Sequence, residues 1–240
     1  MSDKKPLIIG VIPARGGSKS VPRKNLAPLN GKPMMAHTIE AAQNSKLLTH
    51  YVVSSEDAEI IKVAKQYGAP APFVRPAEFA TDEAPSLPVV QHAVRYYEST
   101  EGIKFDYVVL LQATSPLRTG ADIDAALEKL IATGADSVIS VVRVAHHHPA
   151  RMRFIENDLL VQLPMGEQKE MTRRQDLPPV YIRNGAIFAT KRDMVMEQNS
   201  MLGKVSRPYV MPESRSANVD TKFDFLVVEV MMQHPEKVED

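Results

Sequence analysis

Ile8-Ile9-Gly10-Val11-Ile12-Pro13-Ala14-Arg15-Gly16-Gly17-Ser18-Lys19-Ser20-Val21-Pro22-Arg23-Lys24-Asn25 is a buried strand running into a cationic loop. Leu7 to Ile12 has the length and composition of a strand buried on both faces. It stops at Pro13, which cannot donate to a ladder. The loop that follows sets Arg15, Lys19, Arg23 and Lys24 around Gly16-Gly17-Ser18. Backbone N–H groups free of bulky side chains and several cations can there converge on one polyanion, and a triphosphate fits that description. No Gly-Lys-Ser/Thr follows the glycines at P-loop spacing, and no Gly-x-Gly-x-x-Gly of a dinucleotide fold is present. Arg15 and Lys24 lead as phosphate ligands, while Arg23 and Lys19 read as rim residues.

Working outward, Pro33 precedes a helix at Met34 to Gln43, Tyr51 to Ser55 reads as a strand, and Asp57 to Tyr67 as an amphipathic helix stopped by Gly68. A short strand is expected near Ala71 to Val74, a loop from Arg75 to Pro85, and a helix from Ser86 to Tyr97. Then come a strand at Tyr107 to Leu111, a helix from Ala121 to Ala132 and a strand at Asp136 to Val142. This alternation predicts an α/β fold of Rossmann-like, three-layer α/β/α type with a mostly parallel sheet, and ligands at the carboxyl ends of its strands. Pro13 to Asn25, Ser54 to Glu56 and Gln112 to Arg118 should therefore share one crevice.

From His146 to about Pro179 the chain is rich in Pro and Arg and lacks long periodic runs, which suits an excursion with a small hairpin at Arg153 to Leu163. The sheet resumes at Gly185 to Ala189. A helix near Arg192 to Gln198, a strand at Tyr209 to Met211 and a helix at Phe223 to Gln233 follow.

Two hundred and forty residues suit one large domain, with residues 146–180 as its appendage. Equal numbers of basic and acidic residues, 29 of each, argue against a nucleic-acid-coating surface. The absence of cysteine removes disulfides, thiolate catalysis and Cys-type zinc sites. Six apolar residues before Pro13 are too few for a signal h-region or a membrane span, so a cytoplasmic protein is expected, without membrane partners.

Five ordered blocks carry a resemblance: Ile12-Pro13-Ala14-Arg15 with Gly17-Ser18-Lys19 and Lys24-Asn25; Arg75-Pro76-Ala77-Glu78; Leu111-Gln112-Ala113-Thr114-Ser115-Pro116-Leu117-Arg118; Asn184-Gly185-Ala186-Ile187-Phe188; and Asn218-Val219-Asp220. Together they resemble the CMP-sialic acid synthetases, the acylneuraminate cytidylyltransferases. The resemblance implies transfer of CMP from CTP to a nine-carbon 2-keto acid sugar, with Mg²⁺ or Mn²⁺ as the metal and a homodimer built through the excursion. It carries over Ala14, Arg15, Gly16, Ser18, Lys24, Asn25, Arg75, Ala84 and Ser86 as CTP contacts. Gln112, Arg174, Asn184 and Phe188 become sugar contacts, and Asn218 with Asp220 the metal ligands. Arg15, Lys24, Gln112, Arg174 and Asp220 are thereby the implied catalytic set.

Three departures stand out. Ala113 replaces the family's Pro; Ile182 replaces an Arg, with Arg183 one place on; and Asn218 replaces an Asp. The sugar's identity and the general base stay open. Arg118 could bind an anion, cap a helix or pair with Asp122. His146-His147-His148 reads as a non-metal run, since consecutive side chains on extended backbone alternate in direction. Asp122-Ile123-Asp124 resembles the Asp-x-Asp of metal-dependent glycosyltransferases, yet it opens a predicted helix, where acidic residues are favoured anyway. Two rivals thus accompany the cytidylyltransferase reading: a GT-A-like glycosyltransferase using those aspartates, and a nucleotide-binding regulatory protein impaired by Asn218.

Overall fold

In the computed structural model, residues 5–238 are described except 19, 145 and 165–172, with Arg174 described by its backbone alone. The chain begins with β1 (Ile8–Pro13), a two-residue pair β2 (Pro28–Leu29) and β3 (Lys32–Pro33), and α1 (Met34–Gln43). Next come β4 (His50–Ser54), α2 (Ala58–Gln66), α3 (Ser86–Glu101), β5 (Tyr107–Leu110), α4 (Gly120–Thr133) and β6 (Ser137–Arg143). The excursion holds the hairpin β7 (Arg153–Glu156) and β8 (Leu159–Gln162). The chain closes with β9 (Tyr181–Lys191), α5 (Arg192–Met196), β10 (Ser206–Val210) and α6 (Lys222–Gln233).

The main sheet runs β10-β6-β9-β5-β1-β4. β1 lies parallel between β4 and β5, and its side chains split by the two-residue period of a strand. Ile8 and Ile12 enter the core layer holding Met35 and Ile39 of α1, Ile60 of α2 and Leu127 of α4. Ile9 and Val11 enter the opposite layer with Val90 and Val94 of α3 and Val195 of α5. Gly10 is dictated by packing, because a Cβ there would stand 3.1 Å from Leu48 Cδ1.

Two expectations need correction. No strand forms at Ala71 to Val74; the backbone bonds flank it instead, Val53 N–H to Pro70 O (2.9 Å) before it and Arg75 N–H to Ser55 O (2.8 Å) after it. The late sheet segment is longer than Gly185 to Ala189 and runs antiparallel to both neighbours, pairing Leu110 with Phe188 and Ile139 with Phe188. Between Ile139 and Val141 the register slips. There Ser140 replaces ladder bonds with its hydroxyl, which accepts from the Ile187 N–H (2.7 Å) and donates to Asn184 Oδ1 (2.6 Å).

A third, smaller core joins Leu29, Met34, Val219 and Val228, seating α6 and the segment before it against the start of α1. Thr221 and Asp224 form a capping box at α6, and the Asp220 N–H also donates to Asp224 Oδ2 (3.0 Å). Among the described residues no helix is long and apolar enough to cross a membrane.

Candidate active site

The loops after β1 and β5, the 75–85 loop with the start of α3, and residues 218–220 enclose a cleft of about 380 Å³. Arg15, Ser18, Lys24, Asn25, Arg75, Ala84, Ser86, Gln112, Asn218 and Asp220 all line it. A larger cavity of about 600 Å³, bounded by Val142, Arg143, His148, Pro178 and Met211, lies under the excursion and contains no residue of the cationic loop.

The cationic loop is held from behind. Ala14 is fully buried, with its N–H on Ser54 O (3.0 Å), and Asn25 Nδ2 donates to Arg15 O (2.9 Å). Gly16 must be glycine because a Cβ would meet Asp57 Oδ2 at 2.5 Å, and its N–H is taken by Glu56 Oε1 (2.7 Å). Ala14 and Gly16, expected as CTP contacts, stand behind the residues that line the cleft, whereas Gly17 and Ser18 line it. Arg23 turns away to Asp57 (2.6 Å) and Glu59 (2.6 Å), as a rim residue would. Lys19 lies outside the described residues.

Arg15 pairs with Asp82 of the 75–85 loop. Lys24 donates to Val219 O (2.8 Å) and reaches Asp220 Oδ1 at 3.4 Å. Arg75 is buried and paired with Glu56 (2.6 Å), while its Nε is buried without a hydrogen-bond partner. At the cleft's edge α3 begins at Ser86 with Pro85 in the cap position and no side-chain cap, which leaves first-turn N–H groups for a ligand.

Gln112 lies two residues beyond β5. Its Oε1 comes so near Gly185 that a Cβ there would stand 2.5 Å away, and 3.3 Å from Ser115 Oγ. With φ at +77°, Gly185 needs the freedom of glycine on both counts. Sequence reading missed this junction; it brought Ser54 to Glu56 to the crevice by position after a strand but gave Glu56 no role.

Arg118 takes none of its expected roles. It is wholly buried and its Nη2 donates to Gln112 O, Ser115 O (2.9 Å) and Thr38 Oγ1 (3.2 Å), curling the loop that carries Gln112. Burial pulls its pKa down to about 9 against the attraction of Asp122. Asp122 pairs instead with Arg215 (2.9 Å), Tyr209 (2.9 Å) and the Thr119 cap. Burial alone would raise the Asp122 carboxyl, but these bonds outweigh it and hold the pKa below 3.8. Asp124 accepts from Ser45 and from the Lys46 and Leu47 N–H groups. Both aspartates are spent on structure, which removes the residues a GT-A-like reading requires.

Asn184 and Phe188, expected in a sugar pocket, do not line the cleft. Asn184 bonds to Ser140, Ala186, Ser216 and Met211 Sδ, and Phe188 packs with the layer around α3. Arg173 pairs with Asp176 (2.8 Å), and Arg174 begins a short 3-10 turn. His148 bonds Pro178 O (2.9 Å) and accepts from the Ala150 N–H (3.1 Å). No cluster of three metal-ligating side chains occurs among the described residues.

Residues 9–204 match the cytidylyltransferase family. The chain belongs to it. Pseudaminic acid cytidylyltransferase of Campylobacter jejuni is 34% identical over 221 residues, 92% of this chain and 94% of its own. CMP-N,N'-diacetyllegionaminic acid synthase of the same species is 36% identical over 225 residues, 94% of each. N-acylneuraminate cytidylyltransferase of Streptococcus agalactiae is 34% identical over 93% of this chain, which spans 52% of that longer protein. In fold, this cytidylyltransferase matches a CMP:2-keto-3-deoxy-manno-octonic acid synthetase complexed with CTP, at TM-score 0.71 and 18% identity over 95% of this chain and 99% of that one.

The family resemblance adds a divalent ion to this cleft. Asp220 supplies a largely exposed carboxylate suited to a hard cation. Asn218, two residues away, turns its amide Nδ2 onto Asp220 Oδ2 (2.5 Å) and accepts at Oδ1 from Ser115 Oγ (3.4 Å), so its carbonyl would join an ion held by Asp220 only once that amide rotates. The remaining ligands would come from a nucleotide's phosphates rather than from a protein cage.

Proposed function

We propose that the protein transfers CMP from CTP to the anomeric hydroxyl of a nine-carbon 2-keto acid sugar of the sialic, legionaminic or pseudaminic kind. The sugar oxygen forms a bond to the α-phosphorus, the bond from that phosphorus to the β-phosphate bridging oxygen breaks, and pyrophosphate leaves. The sugar's hydroxyl proton passes to a base that stays unassigned.

The observation that carries this reading is the convergence of Arg15, Lys24, Arg75, Gln112 and Asp220 on one cleft from four separate segments. Arg15 and Lys24 offset charge on the phosphates, which is the main task in phosphoryl-type transfer. To do so, Arg15 exchanges Asp82 for phosphate. Gln112, held by Arg118 from behind, presents an amide to the sugar. Arg174 faces the sugar's carboxylate, a group its planar fork can grip bidentately. Asp220 and Asn218 would hold Mg²⁺ or Mn²⁺, which when bound neutralises phosphate charge.

A homodimer completes the proposal. The hairpin exposes Phe154, Ile155, Leu159 and Leu160, and α6 exposes Phe223, Leu226 and Val230. Monomeric soluble proteins seldom leave such contiguous apolar surface uncovered. The deciding experiment incubates the protein with CTP, Mg²⁺ and each of a panel of acidic sugars while following pyrophosphate and the product's mass. Nucleotide-sugar hydrolysis without pyrophosphate, or CTP binding without turnover on any sugar, would reject the reading.

A further inference from the structure

Glu56 stands two residues past β4, where the cleft's rear wall is built. Its carboxylate reaches in two directions at once. Oε1 accepts from the Gly16 N–H at 2.7 Å, and Oε2 accepts from Arg75 Nη2 at 2.6 Å. The Arg75 side chain is 3% exposed and that of Glu56 25%, so the pair is shielded rather than surface-borne. The same stretch also holds the Arg75 backbone, whose N–H donates to Ser55 O (2.8 Å). One side chain, in the loop after β4, thus ties the loop after β1 to the 75–85 loop that precedes α3. Arg75 keeps a buried Nε without a hydrogen-bond partner and lines the cleft.

We propose that Glu56 is a positioning residue for the nucleotide: it braces Arg75 against the glycine loop, so that the two sides of the cleft, the cationic loop and the 75–85 loop, are set by one carboxylate. The inference rests on the CTP reading above and deepens it. A guanidinium offers only donors. Cytosine presents adjacent acceptors at O2 and N3, whereas uracil replaces the N3 acceptor with an N–H donor. A guanidinium locked in orientation therefore favours cytosine, and one left free to swing loses that preference. Glu56 does not itself line the cleft, and its two oxygens face Gly16 and Arg75, so its part is to position rather than to react.

Glu56→Gln keeps one acceptor but turns an amide N–H₂ toward a donor, and Glu56→Asp shortens the side chain so that it cannot span both partners. The test measures CTP and UTP affinity by calorimetry, and KM for CTP and for the sugar, in the wild type, both Glu56 variants, Arg75→Lys and the Glu56→Gln/Arg75→Lys pair. In Glu56→Gln, CTP should weaken about tenfold, the scale of one charge-assisted bond. The CTP-over-UTP ratio should shrink while the sugar's KM stays within about twofold, and the double variant should be no weaker than Arg75→Lys alone. Glu56→Asp should show the same split should the Gln variant not fold. Unchanged CTP affinity, equal weakening of CTP and sugar, or an additive double variant would overturn the brace. A folded wild type that binds no CTP would instead overturn the functional reading on which it rests.

Discussion

Lys24 Nζ stands 3.4 Å from Asp220 Oδ1 in the cleft, so a cation of the loop and the carboxylate offered to a metal are already neighbours. Their individual contributions separate by substitution. Arg15→Ala and Lys24→Ala should each lower kcat/KM for CTP by about 10²-fold or more, the scale of losing one preorganised charge stabiliser. Steady-state kinetics showing less than about threefold at both positions would contradict the phosphate assignment. At the metal end, Asp220→Ala should abolish turnover, whereas Asn218→Asp should lower the Mg²⁺ concentration giving half-maximal rate. A carboxylate binds a hard cation more strongly than an amide oxygen does. A magnesium titration of the two variants decides it. Arg15 and Lys24 were legible in the sequence because cations around glycines after a buried run have few other uses, whereas Asn218 and Asp220 were reached through the family resemblance. The contacts of Glu56 and Gly185 were not legible, since an acid after a strand and a glycine after Asn are common, and only the fold brings them against Gly16, Arg75 and Gln112.

Arg118 and Asp122 both serve elements rather than chemistry, and they do so from opposite ends of the same turn. Arg118→Met removes a buried cation that has no salt-bridge partner among the described residues and loses three hydrogen bonds to the Gln112 loop and Thr38. Each buried acceptor left without its donor costs about 1–3 kcal/mol. The expected outcome is a lowered melting temperature and a severalfold rise in the sugar's KM with the CTP KM unchanged. Asp122 behaves otherwise. Its carboxyl sits below 3.8 because Arg215, Thr119 and Tyr209 outweigh its burial, so its ionised form stabilises the fold fully above that pH. That stability is lost as pH falls through the depressed folded value. Asp122→Asn should cost about 3 kcal/mol at neutral pH and flatten the acid limb of the stability curve, as read by denaturant melts from pH 7 to pH 2. The helices around these residues follow caps and periodicity visible in the chain, such as Thr119 with Asp122 and Thr221 with Asp224. Residues 71–74 failed as a strand because Pro70 and Pro72 break the ladder that apolar neighbours suggested.

At the scale of the whole molecule, apolar side chains on the hairpin and α6 predict association. Light scattering at micromolar concentration should give twice the chain mass of 26.6 kDa, and Phe154→Asp with Leu160→Asp should halve it. A wild type that scatters as a monomer refutes the dimer. The three-layer plan was readable from strand and helix alternation, but the direction of β9 was not, because a strand buried on both faces carries the same apolar run whichever way it points. That direction has a consequence for synthesis. β5 is flanked by β1, already made, and by β9, whose pairing residues emerge about 80 residues later, several seconds at ribosomal speed. Until then Tyr107 to Leu110 offers a bare, apolar hydrogen-bonding edge, so mid-translation rather than release is when this chain is most open to mispairing.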